Sequence, residues 1–351
     1  MPFTNAELAE MLARASQQEE RSHRARALRR ASRAALYWRE EAFELVEAGR
    51  PLAELRSVGP WLAEVLLGWL TGEDPREPPD PPPLRKGFLT LAEARAILAT
   101  QSYGREIRAD LQMHSTYSDG KDTLREMVDA AAGRGYEFVA ITDHSKGLKI
   151  ARGMDEQTLA GQGREIERLN EELRASGAEI HVLRSIEMNL SPEGEGDMDE
   201  AALAGLDLVL GAFHSMLRLR EDQTERYLAA VRNPDVHVLA HPRGRRYDSR
   251  LGLHADWRRV FEEAALEDKA MEIDAYPDRQ DLEIELLELA RESGVLISIG
   301  TDAHSVEELR SMEFGLAAAA RAGIPQERIL NFMPVGELLA WAEAVRARRR
   351  R

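Results

Sequence analysis

The chain has no cysteine, which excludes disulfides, thiolate metal ligands and a cysteine nucleophile. It has no apolar run of the about 18 residues that a bilayer-spanning helix needs. Lysine is nearly missing too: there are five against 42 arginines, and the first is Lys86. The polar opening MPFTNAELAEMLARA lacks the apolar core of a signal peptide, so a cytoplasmic location is expected. A formal net charge of −15 argues against nucleic-acid binding by the surface as a whole.

That charge is unevenly spread. Residues 1–72 hold ten arginines and ten glutamates, so the excess acid lies in the remainder. Within 21–39 stand Arg21, Arg24, Arg26, Arg29, Arg30, Arg33 and Arg39 without one acid. At 351 residues there is room for one large domain and a smaller companion.

The first 72 residues read as all helix. Asn5 is placed to cap a helix over 6–20, and 22–48 has the Ala/Arg/Leu/Glu makeup of a second, ended by Gly49-Arg50-Pro51. A shorter pair follows at 52–56 and 60–70, and Pro60 suits a helix start, where its missing N–H is not needed. Residues 73–106 form a linker and a short helix; GEDPREPPDPPP, with six prolines, is expected to be a stiff extended spacer, and the helix covers about 90–100.

From 107 to 351 strands and helices alternate. The strands are expected at 107–113, 137–142, 180–187, 206–213, 236–240, 270–274 and 295–300. Amphipathic helices fall near 122–134, 155–175, 197–204, 221–232, 255–267, 280–293 and 306–322, with a last one at 334–345. Short apolar strands separated by helices predict an α/β fold with parallel pairing, and seven of them suggest a (β/α) barrel whose active site lies at the C-terminal strand ends.

Five of the nine histidines stand at those ends: His114, His144, His214, His241 and His304. Asp119, Glu187 and Asp302 occupy similar positions. Imidazoles and carboxylates converging from successive strands are what a multinuclear site for zinc, manganese or iron requires, so a metal-dependent hydrolase is expected. Asp119, inside Ser-Asp-Gly, also suits a turn. Glu187 follows the apolar run 182–186, where an ionised carboxylate needs a partner. His23, His181, His237 and His254 read as structural or surface groups.

DLQMHSTYSDG, AITDHSKGLKIARGMDE, LAHPRGR and ISIGTDAHS, in this order, resemble the polymerase-and-histidinol-phosphatase (PHP) domain, and among its members the domain at the C-terminus of bacterial family X DNA polymerases. The resemblance spans 107–330. It implies a distorted seven-stranded barrel holding two or three divalent ions (zinc, manganese or iron, with magnesium as a further option) and a metal-activated hydroxide as nucleophile. It puts Glu187, Asp302, His214 and His304 at the reaction centre. Carried onto this chain, it assigns a first ion to Gln112, His114, Glu187 and Asp302. Glu187 would bridge to a second ion held by His214 and His304, and a third would take Asp119, His144 and His241. Gln112 stands where the family usually has histidine; its neutral oxygen is a poorer donor to zinc, so the first ion is expected to bind more weakly or to be Mn²⁺ or Mg²⁺. Asp274 stands where the family has asparagine. Asp110 and Asp143 are placed to orient ligand imidazoles. Lys146, Lys149, Arg152 and Arg243 follow the ligand motifs and suit substrate phosphates, with surface ion pairing as the alternative.

The segment 5–72 is similar to the small N-terminal domain of family X polymerases, and LRSVGPWLAEVLLGWL to a helix-hairpin-helix, whose turn presents backbone N–H groups to a DNA phosphate. Here Ser57 replaces the first glycine, Gly59 is kept, and Trp61 stands where a basic residue is common. Arg29, Arg30 and Arg33 are candidate phosphate contacts, with a solvated helix face as the alternative. A Schiff-base lyase is excluded in this segment, because no lysine precedes Lys86 and arginine stays protonated. No polymerase palm fits between the linker and residue 107. The implied substrates are DNA ends, by 3′–5′ exonucleolysis, 3′-phosphate removal or abasic-site cleavage; a small phosphate ester of the histidinol-phosphatase kind is the alternative. No membrane partner is expected. The arginines at 346 and 348–351 make a basic tail expected to face solvent.

Overall fold

The computed structural model describes residues 2–101, 103 and 107–348, and divides after Thr100 into two compact units. Arg349, Arg350 and Arg351 of the basic tail lie outside the described residues. Among the described residues no helix is long and apolar enough to cross a membrane.

The second unit is an α/β fold built on a near-closed barrel of seven parallel strands in sequence order. They are β1 (Ala109–Met113), β2 (Phe138–Ile141), β3 (His181–Asn189), β4 (Leu208–Ala212), β5 (Val238–Leu239), β6 (Ala270–Asp274) and β7 (Leu296–Gly300). β1, β2, β4 and β6 are buried along their whole length; β2 and β4 are accordingly continuous apolar runs, whereas β1 and β6 carry Asp110, Gln112, Glu272 and Asp274 into the interior. Val139, Leu183, Leu210, Val238 and Ile297 have no exposed surface. Helices cover the outside, each started by local chemistry. Thr123, for example, caps the helix Leu124–Ala132 through a capping box with Glu126.

The barrel closes between β1 and β7 by a few bonds rather than a full ladder. At the C-terminal ends the His114 N–H donates to the Ala303 carbonyl (2.8 Å) and the Asp302 N–H to the Gln112 carbonyl (3.0 Å). Nearer the other end, buried Asn331 does the same work with its side chain. Its amide donates to the Ala109 (2.9 Å) and Ile299 (2.8 Å) carbonyls, and its oxygen accepts from the Ile299 N–H (2.7 Å).

The first unit is helical, in the order α1 (Asn5–Gln18), α2 (Ser22–Ala35), α3 (Ala42–Glu47), α4 (Pro60–Thr71) and α5 (Leu91–Ala99). Its core gathers Leu8, Leu12, Leu28, Trp38, Leu45, Leu62 and Leu66. Two expectations are corrected here. Thr4, not Asn5, caps α1, closing a capping box with Glu7. The single helix expected over 22–48 is broken after Ala35, because Asn5 holds the chain there: its amide donates to the Glu40 carbonyl (2.8 Å) and its oxygen accepts from the Ala42 N–H (2.9 Å). Residues 52–56 make only a single 3₁₀ turn, Leu52–Glu54.

Candidate metal centre

Glu187 is fully buried near the end of β3 and meets four imidazoles. Oε1 lies 2.7 Å from His241 Nε2 and 3.1 Å from His214 Nε2. Oε2 lies 3.0 Å from His144 Nδ1 and 3.4 Å from His114 Nε2. His114 Nε2 is also 2.9 Å from Asp302 Oδ1. On the outer side Asp119 Oδ1 faces His304 Nε2 (3.3 Å) and His144 Nε2 (3.6 Å). The rings of His144 and His304 both stack against His114, with centroids 4.4 and 4.3 Å away.

These side chains form two to three clusters able to hold metal ions. They are His114 with Glu187 and Asp302, His144 with Glu187 and His214, and Asp119 with His114, His144 and His304. The grouping corrects the one carried over from the family. His304 belongs with Asp119 and His144, while His241 joins His214 on Glu187. The loop after β7 turns His304 outward, where its Nδ1 bonds the Asp302 carbonyl (2.7 Å).

The arrangement fits cations. His144 Nδ1 and His214 Nε2 are buried and aimed at Glu187 yet lack a hydrogen bond, and His114 Nδ1 and His241 Nδ1 are likewise unpartnered. Nitrogens facing carboxylate oxygens without sharing a proton are reconciled by an ion between them. Burial alone would raise the Glu187 carboxyl, but His144, His214 and His241 hold it well below the carboxylate range. Burial, then the neighbouring Asp302, pushes Asp274 well above that range, and burial, then Asp274, does the same to Glu272. So much buried acid in one place calls for bound positive charge.

The first cluster differs from the other two. The Gln112 amide nitrogen donates to the Glu272 carboxylate, at 2.8 Å to Oε2. Arg279 already supplies a cation, with Nε 3.2 Å from Asp302 Oδ2 and 3.3 Å from Asp274 Oδ2. Gly300 makes room for this arrangement; a Cβ there would come within 2.5 Å of both Gln112 and Glu272.

Backbone geometry aims these side chains. His241 (φ 27°) and Asp302 (φ 50°) stand in the left-handed region, which costs energy and is kept where function needs the direction it gives. A Cβ on Gly120 would lie 2.6 Å from the Ser115 backbone, so glycine is required to fold the 115–120 loop that carries Asp119. Asp143 ties this loop down. It accepts from the Ser115 N–H (2.9 Å), the Ser118 N–H (3.1 Å) and both serine hydroxyls, and from Gln162 (2.6 Å). Asp110 likewise takes the Thr301 N–H (3.0 Å) and hydroxyl (2.6 Å). Both aspartates thus orient ligand-bearing backbone, not an imidazole as expected.

The residue that does orient an imidazole is Asn189, whose Oδ1 lies 3.2 Å from His214 Nδ1. Sequence reasoning missed it, although strand alternation puts positions 187 and 189 on one face. It also missed Arg279; the signal was the buried acid at 274 and 302 lacking a countercharge.

Of the expected phosphate contacts, Lys146 pairs with Glu156, and Arg243 is mostly buried against Glu283. Lys149 and Arg152 are exposed on the turn after β2, and neither has an ion pair among the described residues. In the first unit Arg29, Arg30 and Arg33 share the exposed side of α2. Trp61 lies beneath the Arg24 guanidinium, 4.6 Å from its ring centroid. Ser57 holds φ 67° in the turn before α4, while Gly59, at φ −92°, does not use the freedom of glycine.

Residues 110–301 match the PHP domain model. Over 227 residues the chain is 38% identical to the DNA polymerase/3′-5′ exonuclease PolX of Bacillus subtilis (strain 168), covering 64% of this chain but only 39% of that protein. It is 27% identical over 244 residues to the probable phosphatase YcdX of Escherichia coli (strain K12), covering 64% of this chain and 90% of the relative. Among solved structures, histidinol phosphate phosphatase from Lactococcus lactis subsp. lactis Il1403, complexed with zinc, L-histidinol and phosphate, aligns at 17% identity with a TM-score of 0.47, over 62% of this chain and 94% of that one. A family match over more than half of the chain, on the barrel that carries the carboxylate and imidazole clusters, makes this protein a member of the PHP domain family and a metal-dependent phosphoesterase.

Proposed function

We propose that the protein hydrolyses phosphate esters at DNA ends, as a 3′–5′ exonuclease or a remover of 3′-phosphates. The observation that carries this reading is the 38% identity to PolX across the metal-bearing barrel. The identity lies in the shared 39% of PolX, so the proposal concerns this domain's chemistry and not polymerisation.

Glu187, His214 and His241 would hold one ion and Asp119, His144 and His304 another. His114 and Asp302, with Gln112, would hold a third more weakly, since Arg279 already neutralises Asp302. Bound divalent ions supply Lewis acidity toward phosphoryl oxygens and make water acidic enough to attack at neutral pH. The chain's own groups prepare the site for this. Glu187 keeps its charge at the centre, and Asn189 fixes His214 in the tautomer that leaves Nε2 facing Glu187. The Asp302 carbonyl does the same for His304. Arg279 is near enough to Asp302 to meet a phosphate oxygen there as well.

A second reading, a phosphatase for a small metabolite, draws support from the match to YcdX over 90% of that relative's length. The experiment that tests both is turnover on a matched panel: single-stranded oligonucleotides, 3′-phosphorylated oligonucleotides and small phosphomonoesters, with manganese or zinc supplied and with chelator. Release of nucleotides or 3′-phosphate at rates well above those for the small esters is the expected result. Efficient turnover of the small monoesters alone favours the phosphatase.

A further inference from the structure

Two loops at the centre carry six arginines, and these are used in different ways. The loop after β4, from Phe213 to Gln223, holds His214, Arg218 and Arg220, and the loop after β5 holds His241, Arg243, Arg245, Arg246 and Arg250. Arg243 and Arg245 point inward and pair with Glu283. Arg218 and Arg246 are exposed and Arg250 is half-buried, and among the described residues none of the three has an ion-pair partner.

What sets the three apart is their place, on the loops around the centre. Some surface arginines of the barrel unit are matched to acids on neighbouring helices, as Arg125 with Asp129, Arg232 with Glu263, Arg258 with Glu292 and Arg259 with Glu225, while others such as Arg152 and Arg164 are not, among the described residues. With a net charge of −15, carboxylates are plentiful, yet none sits on these three.

The three are held together. Arg246 and Arg250 exchange both backbone hydrogen bonds (2.8 and 2.9 Å), making a small hairpin. Arg218 reaches across from its own loop to donate to the Ser249 carbonyl (3.1 Å), and Arg250 donates to the Gly244 carbonyl. The Tyr247 N–H bonds the Asp278 carbonyl (2.7 Å), next to Arg279, which touches Asp302. Burial, then Arg279, Arg218 and Arg246, pushes the Arg250 guanidinium down to about 10, as crowded and uncompensated cations do. Met216 (53% exposed) and Leu251 (52%) stand in the same two loops, offering apolar surface beside the charge.

We propose that Arg218, Arg246 and Arg250 form a rim that binds the backbone phosphates of a nucleic-acid strand whose terminal ester lies at the metal centre. This rests on the DNA-end reading and extends it: the rim makes the enzyme prefer a strand to a lone phosphate ester. Guanidinium forks suit phosphodiester oxygens, and exposed apolar side chains accept unstacked bases. A single small ester would fill the centre without reaching the rim.

The test compares the metal-loaded, full-length protein with the triple variant Arg218→Ala, Arg246→Ala, Arg250→Ala. Both are assayed on a single-stranded oligonucleotide and on bis(p-nitrophenyl) phosphate. The ratio of the two kcat/KM values is expected to fall at least about tenfold, through KM for the oligonucleotide. The slope of log affinity against log salt should fall by about 2, for three lost contacts to a single strand. The matching triple lysine variant should recover most of the slope. An unchanged ratio, including a parallel loss on both substrates, overturns the rim, and so does a lysine variant as impaired as the alanine one. If the unmodified protein turns over the ester but no oligonucleotide, the DNA-end reading itself fails and takes the rim with it.

Discussion

The two ends of the barrel both bury polar side chains, but only one end satisfies them. Away from the metal centre, Asn331 makes three of the four bonds an amide can form, all toward the barrel backbone. His237 accepts from the Val209 N–H (3.1 Å) and bonds the Ala342 carbonyl (3.1 Å), and the Lys269 ammonium donates to the Asn233 and Val236 carbonyls. At the mouth, ring nitrogens of His114, His144, His214 and His241 lack hydrogen bonds, and His241 and Asp302 stand on strained backbone. One end is organised for stability. The other holds unmet bonding capacity and strain that only a ligand could repay.

The comparison is broken most severely at Glu187. Glu187→Gln should remove most bound metal, by elemental analysis, and lower turnover by more than the about 10–100-fold seen for outer partners of metal ligands, while the metal-free protein melts no lower than the parent. A lower metal-free melting point would mean that Glu187 serves the fold. Asn189→Ala comes next. With His214 free to rotate, metal affinity and turnover should fall about 10–100-fold, with circular dichroism unchanged.

At the opposite end the effects should invert. Asn331→Ala leaves three buried backbone groups with fewer partners and should cost about 3 kcal/mol in urea unfolding, with turnover per folded molecule kept. The most gradual effect concerns acid. Burial, then Arg346 and Lys269, lowers the His237 pKa from 6.5 to about 3. Its contribution to stability is therefore complete above 6.5 and is lost as pH falls toward about 3, because the unfolded chain takes up the proton first. The slope is at most about 1.4 kcal/mol per pH unit. His237→Asn should flatten the decline in melting temperature across that window; an unaltered slope would show that His237 takes up protons equally in both states.

The barrel was readable in advance because short, mostly apolar strands such as β2 and β4 recur between amphipathic helices. The gathering of imidazoles and carboxylates was readable because most of them stand at or just beyond strand ends. Which of them cluster together was not, since His241 and His304 sit at equivalent strand ends and only the loop geometry separates them. Arg243 resembled a free phosphate contact because its partner Glu283 lies 40 residues downstream. The break after Ala35 was hidden for a similar reason: its cause, Asn5, sits in the first turn of another helix. Local pattern carries the elements; long-range pairing decides the details of charge.

The bonds closing β1 onto β7 have one further consequence. The amide of Asp302 and the carbonyl of Gln112 form part of the seam, so a metal-binding side chain and the clasp of the barrel share the same peptide units. Ion capture would therefore tighten the clasp. Amide exchange at 112–114 and 301–304 would slow on metal loading, leaving the remaining staves as they were, and the empty enzyme would breathe first along this one line.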